Sequence, residues 1–127
     1  MTQPFTVRRG DVLQADVGHG AHFYVIVSND ARNAAGHTFL GVRITSKNKY
    51  ANAPTTAALS AGDGVTCKDP SGLPMRGWAL ADRLCEVPPP GAYRPAGTPE
   101  PRLHHLGRLT ASTMSEIDRA LRAALGL

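Results

Sequence analysis

His22 stands immediately in front of an apolar, β-branched run, Phe23 to Val27, in the stretch GAHFYVIVSND. An imidazole titrates close to neutral pH, so it can take or give a proton and, as a cation, donate to an anion. At a strand start, however, a histidine is more often a hydrogen-bonded structural residue, and nothing local to His22 decides between the two. His19 and His37 sit beside glycines in turn-like sequence, where either could touch a ligand. His104 and His105 point to opposite sides of an extended chain and read as loop surface, with no further ligands at metal-binding spacing. Cys67 and Cys85 have no CxxC spacing and no second pair, which leaves them as reduced thiols. No metal and no cofactor are expected.

Lysines and arginines number 14 against 10 aspartates and glutamates, a formal charge of +4. That excess favours an anionic partner, and nucleic acid is the commonest anion a small basic domain meets. The cations are scattered from Arg8 to Arg122 rather than gathered in a tail, so folding must assemble any positive patch, and an ordinary solvated surface is the competing reading.

The elements that must position these groups run strands first, helix last. A chain of 127 residues with 42% apolar content suits one domain over residues 1–127. Asp11 to Val17 reads as a short strand, Phe23 to Val27 as a buried one stopped by Ser28, Asn29 and Asp30, and NAAGHT as a polar hinge. FLGVRITS, Phe39 to Ser46, alternates: Val42, Ile44 and Ser46 on one face, Arg43 and Thr45 on the other. Thr55 to Leu59 and GWALADRLCEV, Gly77 to Val87, complete the expected strands, with an irregular connection over Gly62 to Pro74. Six prolines between Pro88 and Pro101 predict a loop over 88–101. Thr110 then caps a helix carrying Met114, Ile117, Leu121 and Leu125 at helical spacing, with Asp118 and Arg122 one turn apart on its solvated side and Gly126 ending it. The fold class is mainly β with a C-terminal helix: a small curved antiparallel sheet or β-barrel. No segment has the apolar length of a membrane helix, and MTQPFTVRR lacks the apolar core of a signal peptide, which predicts a cytoplasmic protein. Trp78 reads as core or dimer interface, with base stacking the minority alternative.

Five blocks in order, RRGDVLQADV, YVIVSNDARN, VRITSK, GWALADRLCEV and LGRLTASTMSEIDRALRAALGL, together resemble the MazF/PemK family of toxin endoribonucleases. The resemblance implies a barrel of the MazF/PemK/CcdB type, a homodimer, metal-independent cleavage of single-stranded RNA at short sequences, and an antitoxin partner that holds the enzyme inactive. It also implies site residues. The family's arginine, normally followed by proline before the second block, is replaced here by His22-Phe23, and the preceding loop is shorter than usual. The family's threonine is kept as Thr45. A glutamine common in the fourth block is Arg83 here, after a retained Asp82.

The chemistry that follows is attack of the RNA 2′-hydroxyl on its own phosphate, giving a 2′,3′-cyclic phosphate and a 5′-hydroxyl. It needs a base, an acid and donors for the charge growing on phosphorus. Arginine serves mainly the last role, and histidine suits the first two. His22 and Thr45 are therefore the expected catalytic pair, with Arg43, Ser46, Lys47, Arg83 and His19 as RNA contacts. Two alternatives stay open from sequence: a catalytically degenerate RNA- or antitoxin-binding protein on this fold, and a gyrase poison of the CcdB type. Arg43 and Arg83 as plain surface charge, and Thr45 as a mere β-former, are the bland readings.

Overall fold

The computed structural model describes residues 6–18, 20–35, 38–88 and 103–127. His19, His37 and, apart from Pro88, the proline-rich loop expected at 88–101 lie outside the described residues. The strands are β1 (Asp11–Asp16), β2 (Ala21–Ile26), β3 (Phe39–Thr45), β4 (Thr56–Ala58), β5 (Trp78–Val87) and β6 (Leu103–Arg108); the helices are α1 (Asp30–Ala34), α2 (Asp63–Thr66) and α3 (Ala111–Leu125).

The strands form one antiparallel sheet in the order β4-β5-β3-β2-β1-β6. Of the two forms expected, curved sheet or barrel, the sheet is open: among the described residues no ladder joins β4 to β6. The segment after α2 lies along β6 instead, where Cys67 bridges Gly107 and the Lys68 N–H donates to the Leu106 carbonyl at 3.2 Å. Gly107 is obligatory there, because its φ is +140° and a β-carbon would stand 2.2 Å from the Thr66 carbonyl oxygen.

Two expectations about the strands and their connections need correction. His104 and His105 belong to strand β6, opposite Gln14 and Leu13 of β1, although both side chains are exposed as a surface reading requires. LHHLGR has no clean alternation, and it is strand because β1 would otherwise present an unpaired edge. Ser28-Asn29-Asp30 does end β2, but the Asn29 side chain accepts from the Arg32 N–H at 2.8 Å and caps α1, so the expected polar hinge begins inside a helix.

Period-two alternation divides the strands between two apolar clusters. Val12, Val25, Val42 and Ile44 face α3 and pack on Met114, Ile117 and Ala120. Leu13, Ala15, Tyr24, Ile26, Phe39 and Val87 gather on the opposite face. Each aliphatic side chain fully buried in this way contributes about 1.5–3 kcal/mol.

Asp63 anchors α3. It is fully buried, accepting from the backbone N–H groups of Ser60 and Thr110 (both 2.7 Å) and from the Thr113 hydroxyl. Burial pushes its carboxyl up, but the donations from Thr110, Thr113 and Ser60 outweigh that and hold it below its ordinary value. The Thr110 hydroxyl caps the helix by accepting from the Thr113 N–H at 3.3 Å, and Gly126, at φ +73°, ends it. Asp118, expected beside Arg122 on the solvated side, instead takes the Arg9 guanidinium and ties the helix to the chain before β1.

Candidate functional site

β2 and β3 lie side by side at the centre of the sheet, paired Phe23 with Ile44 and Tyr24 with Arg43. One further step along that register sets His22 across from Thr45. His22 also opposes Ala15 of β1, and Thr45 opposes Trp78 of β5. Residues directly opposite share a face, as do residues two apart on one strand. His22, Tyr24, Arg43 and Thr45 therefore form a block of four on the face turned away from α3. Directly opposite side chains stand about 4.5–5.5 Å apart at their β-carbons, and diagonal ones about 7–8 Å.

Their surroundings differ. Tyr24 is only 4% exposed, whereas His22, Arg43 and Thr45 are half-buried. Burial pushes the Tyr24 phenol up, with Cys85 and Asp16 adding to the effect and Arg43 opposing it, so Tyr24 is a neutral donor at ordinary pH. The Arg43 guanidinium makes no hydrogen bond or ion pair among the described residues, an unusual state for a half-buried cation in mid-sheet. The Thr45 hydroxyl accepts from the Lys47 N–H at 3.2 Å, which fixes its oxygen and leaves its proton to donate outward.

The approach to His22 is braced. The Asp16 carboxylate accepts from the N–H groups of Gly18 (2.9 Å) and Gly20 (3.2 Å), closing the short turn from β1 into β2. β5 carries a bulge beside Arg43: Val42 pairs with Leu84 but Arg43 with Leu80, so Ala81, Asp82 and Arg83 are extra residues of β5 between these pairs. Arg83 is exposed on this bulge, and Ser46 and Lys47 are exposed just beyond the end of β3.

The sheet thus brings together His22, Arg43 and Thr45, continues from Thr45 into Ser46 and Lys47, and presents Arg83 from the neighbouring strand. His19 is not among the described residues. Sequence reasoning missed Tyr24, although its place two residues after His22 was a usable sign of a shared face. Both cysteines are free; burial, with Asp63 adding to it, pushes the Cys67 thiol up to about 11, and burial raises Cys85 as well. Neither is a nucleophile at neutral pH. Among the described residues no group of three or more His, Cys, Asp or Glu is placed to hold a metal ion, and no helix is long and apolar enough to cross a membrane.

Residues 8–125 match the family described as PemK-like, MazF-like toxin of type II toxin-antitoxin system. The chain belongs to this family. It is 33% identical to Endoribonuclease MazF1 of Mycobacterium bovis over 119 residues, covering 94% of this chain and 92% of that protein, and equally to Endoribonuclease MazF4 of Mycobacterium tuberculosis. Among solved structures, a mycobacterial endoribonuclease in complex with its cognate antitoxin superposes with a TM-score of 0.71 at 32% identity, over 95% of this chain and 96% of that one. A MazE-MazF structure from Deinococcus radiodurans matches with a TM-score of 0.68 over 97% and 98% of the two chains, and its 19% identity carries the fold alone.

Proposed function

We propose that the chain is the toxin of a type II toxin-antitoxin pair, an endoribonuclease that cuts single-stranded RNA at short sequences through attack of a 2′-hydroxyl on the adjacent phosphate. The observation that carries this reading is the block of His22, Arg43 and Thr45 on one face: a proton-handling group, a cation with no hydrogen bond or ion pair among the described residues, and an outward-donating hydroxyl on neighbouring strands. His22 takes the proton of the 2′-hydroxyl or returns one to the leaving 5′-oxygen. Arg43 neutralises the charge that builds on the non-bridging oxygens, and Thr45 donates to one of them. Bond making and breaking balance within the RNA: the 2′-oxygen to phosphorus bond forms, the 5′-oxygen to phosphorus bond breaks, and the products are a 2′,3′-cyclic phosphate and a 5′-hydroxyl.

Ser46, Lys47 and Arg83 contact the RNA strand beside the cleaved phosphate, and His19 is the further RNA contact expected from sequence. A homodimer, a cytoplasmic location and an antitoxin with a flexible acidic segment over this basic face complete the reading, because carboxylates placed there exclude RNA and match its charge together. Binding gained by releasing counterions from phosphates weakens steeply with salt.

The test is incubation of the purified protein with a long single-stranded RNA in EDTA, followed by mapping of the new ends. Cyclic phosphate and 5′-hydroxyl ends at recurring short sequences are expected. Cleavage that stops in EDTA and returns with Mg²⁺ would overturn the metal-independent reading. His22→Arg sharpens the assignment further, since arginine keeps the cation but does not titrate in the working range, so the pH–rate profile should flatten.

A further inference from the structure

A second groove, of about 710 Å³, opens beside the end of β3 and begins at Ser46, the residue after Thr45. Its floor and wall at that point are Gly77 and Trp78. Gly77 lies so close to β3 that a β-carbon on it would stand 2.0 Å from the Thr45 carbonyl oxygen, and its φ of +122° excludes other residues. The groove is therefore continuous with the block containing Thr45. Its far wall is apolar, with Val65 77% exposed, and its cations are Arg76 and Lys68. Lys68 is held by donation to the Gly64 carbonyl, whereas the Arg76 guanidinium makes no hydrogen bond or ion pair among the described residues.

The half-buried indole of Trp78 stands between this groove and a smaller one bounded by Pro54 and Arg119. In the smaller groove the Arg119 guanidinium is consumed by the carbonyls of Pro54 and Thr56 and by Glu116. Of these two, the larger groove pairs an accessible aromatic wall with a cation uncommitted among the described residues. An aromatic plane next to a cation is what an unpaired nucleotide requires, since its base stacks and its phosphate takes the charge.

We propose that this groove is the subsite for one unpaired nucleotide of the RNA strand adjacent to the cleaved phosphate, with its base stacked on Trp78 and its phosphate held by Arg76, and that Trp78 is a specificity-determining residue. The proposal rests on the reading of the chain as a ribonuclease. It takes up base stacking, the minority alternative from sequence, over core or dimer interface for Trp78.

Trp78 is the only tryptophan in the chain, so intrinsic fluorescence reports on it without any variant. Titration with the long single-stranded RNA used for cleavage should quench the emission saturably. Once cut sites are mapped, an oligoribonucleotide spanning one of them, made uncleavable by a 2′-deoxynucleotide at the attacking position, should quench likewise. Abasic substitution along it should restore emission at one position beside the cut and nowhere else. Trp78→Ala should raise KM about tenfold or more with kcat little changed and relax base preference at that same position, while Trp78→Phe should recover most of the affinity. Arg76→Gln should weaken binding and lower its salt dependence. RNA that is bound or cut without altering the emission would overturn the subsite, and so would quenching by an antitoxin peptide alone. If the RNA is left uncut, the ribonuclease reading fails, and the titration with the same RNA still decides whether the groove takes a nucleotide.

Discussion

The same strands β2 and β3 present two faces that have been put to different uses. Toward α3 they offer Val25, Val42 and Ile44, none more than 4% exposed and all locked against Ile117 and its neighbours. Toward the other side they offer His22, Arg43 and Thr45, half-buried, with Tyr24 beneath them. Alternation makes this possible with no extra chain: one residue in two secures the sheet, and the next is released to meet a ligand. The comparison teaches that substitutions one position apart should have effects of different kind, on stability in one case and on reaction rate in the other.

The largest expected break falls on the helix-covered face. Ile117→Ala should lower the unfolding free energy by about 3–4 kcal/mol, the range for emptying a fully buried aliphatic site, while the protein that stays folded keeps its kcat. Denaturant midpoints together with single-turnover cleavage check both halves. Next comes His22→Ala, expected to cut the rate about a hundredfold or more, near 2.7 kcal/mol of barrier, at an unchanged unfolding midpoint. A variant that loses its fold instead, or that cuts at the wild-type rate, would assign His22 to structure.

Asp63→Asn addresses the anchor of α3 and should destabilise by about 2 kcal/mol, since it weakens charge-assisted bonds to Thr110, Thr113 and Ser60. The sign with pH follows from the depressed carboxyl. Its stabilisation is fully present above its ordinary value near 3.8 and is lost as pH falls through the lower folded value, so the gap between wild type and variant should close in strong acid. Urea titrations across that range would show a constant gap if the carboxylate contributed nothing. The smallest effect should be Thr45→Ala, about tenfold in rate, worth roughly one good hydrogen bond to a charged oxygen, with no change in the denaturant midpoint.

Legibility followed the reach of each signal. The alternation of VRITS placed Arg43 and Thr45 correctly opposite Val42 and Ile44, and the spacing from Met114 to Leu125, with Thr110 before it, gave α3 to within a residue. β6 was hidden because it is strand only by virtue of β1's edge, and because the proline-rich segment before it reads as an interruption. The bulge at Ala81 to Arg83 was hidden as well, since GWALADRLCEV reads as one run and only its pairing with β3 exposes the three extra residues. The buried carboxylates were out of reach for a related reason. Asp11 accepts from Arg108, and Asp63 from Thr110, across separations of 97 and 47 positions. Of the site, residue types and family order were legible; the adjacency of His22 to Thr45 is a fact of register, which no window of sequence contains.

The outer side of β4 is a three-residue edge whose carbonyl at Thr56, with that of Pro54 just before it, is already taken by Arg119. At the opposite edge, Cys67 and Lys68 occupy β6 at Gly107 and Leu106. An extended peptide approaching either place finds main-chain groups that are already engaged, so strand addition is not open to it there. At these two places a partner is met by side chains rather than by an open strand edge. Where side chains rather than backbone carry recognition, substitutions among them are enough to separate one partner from another.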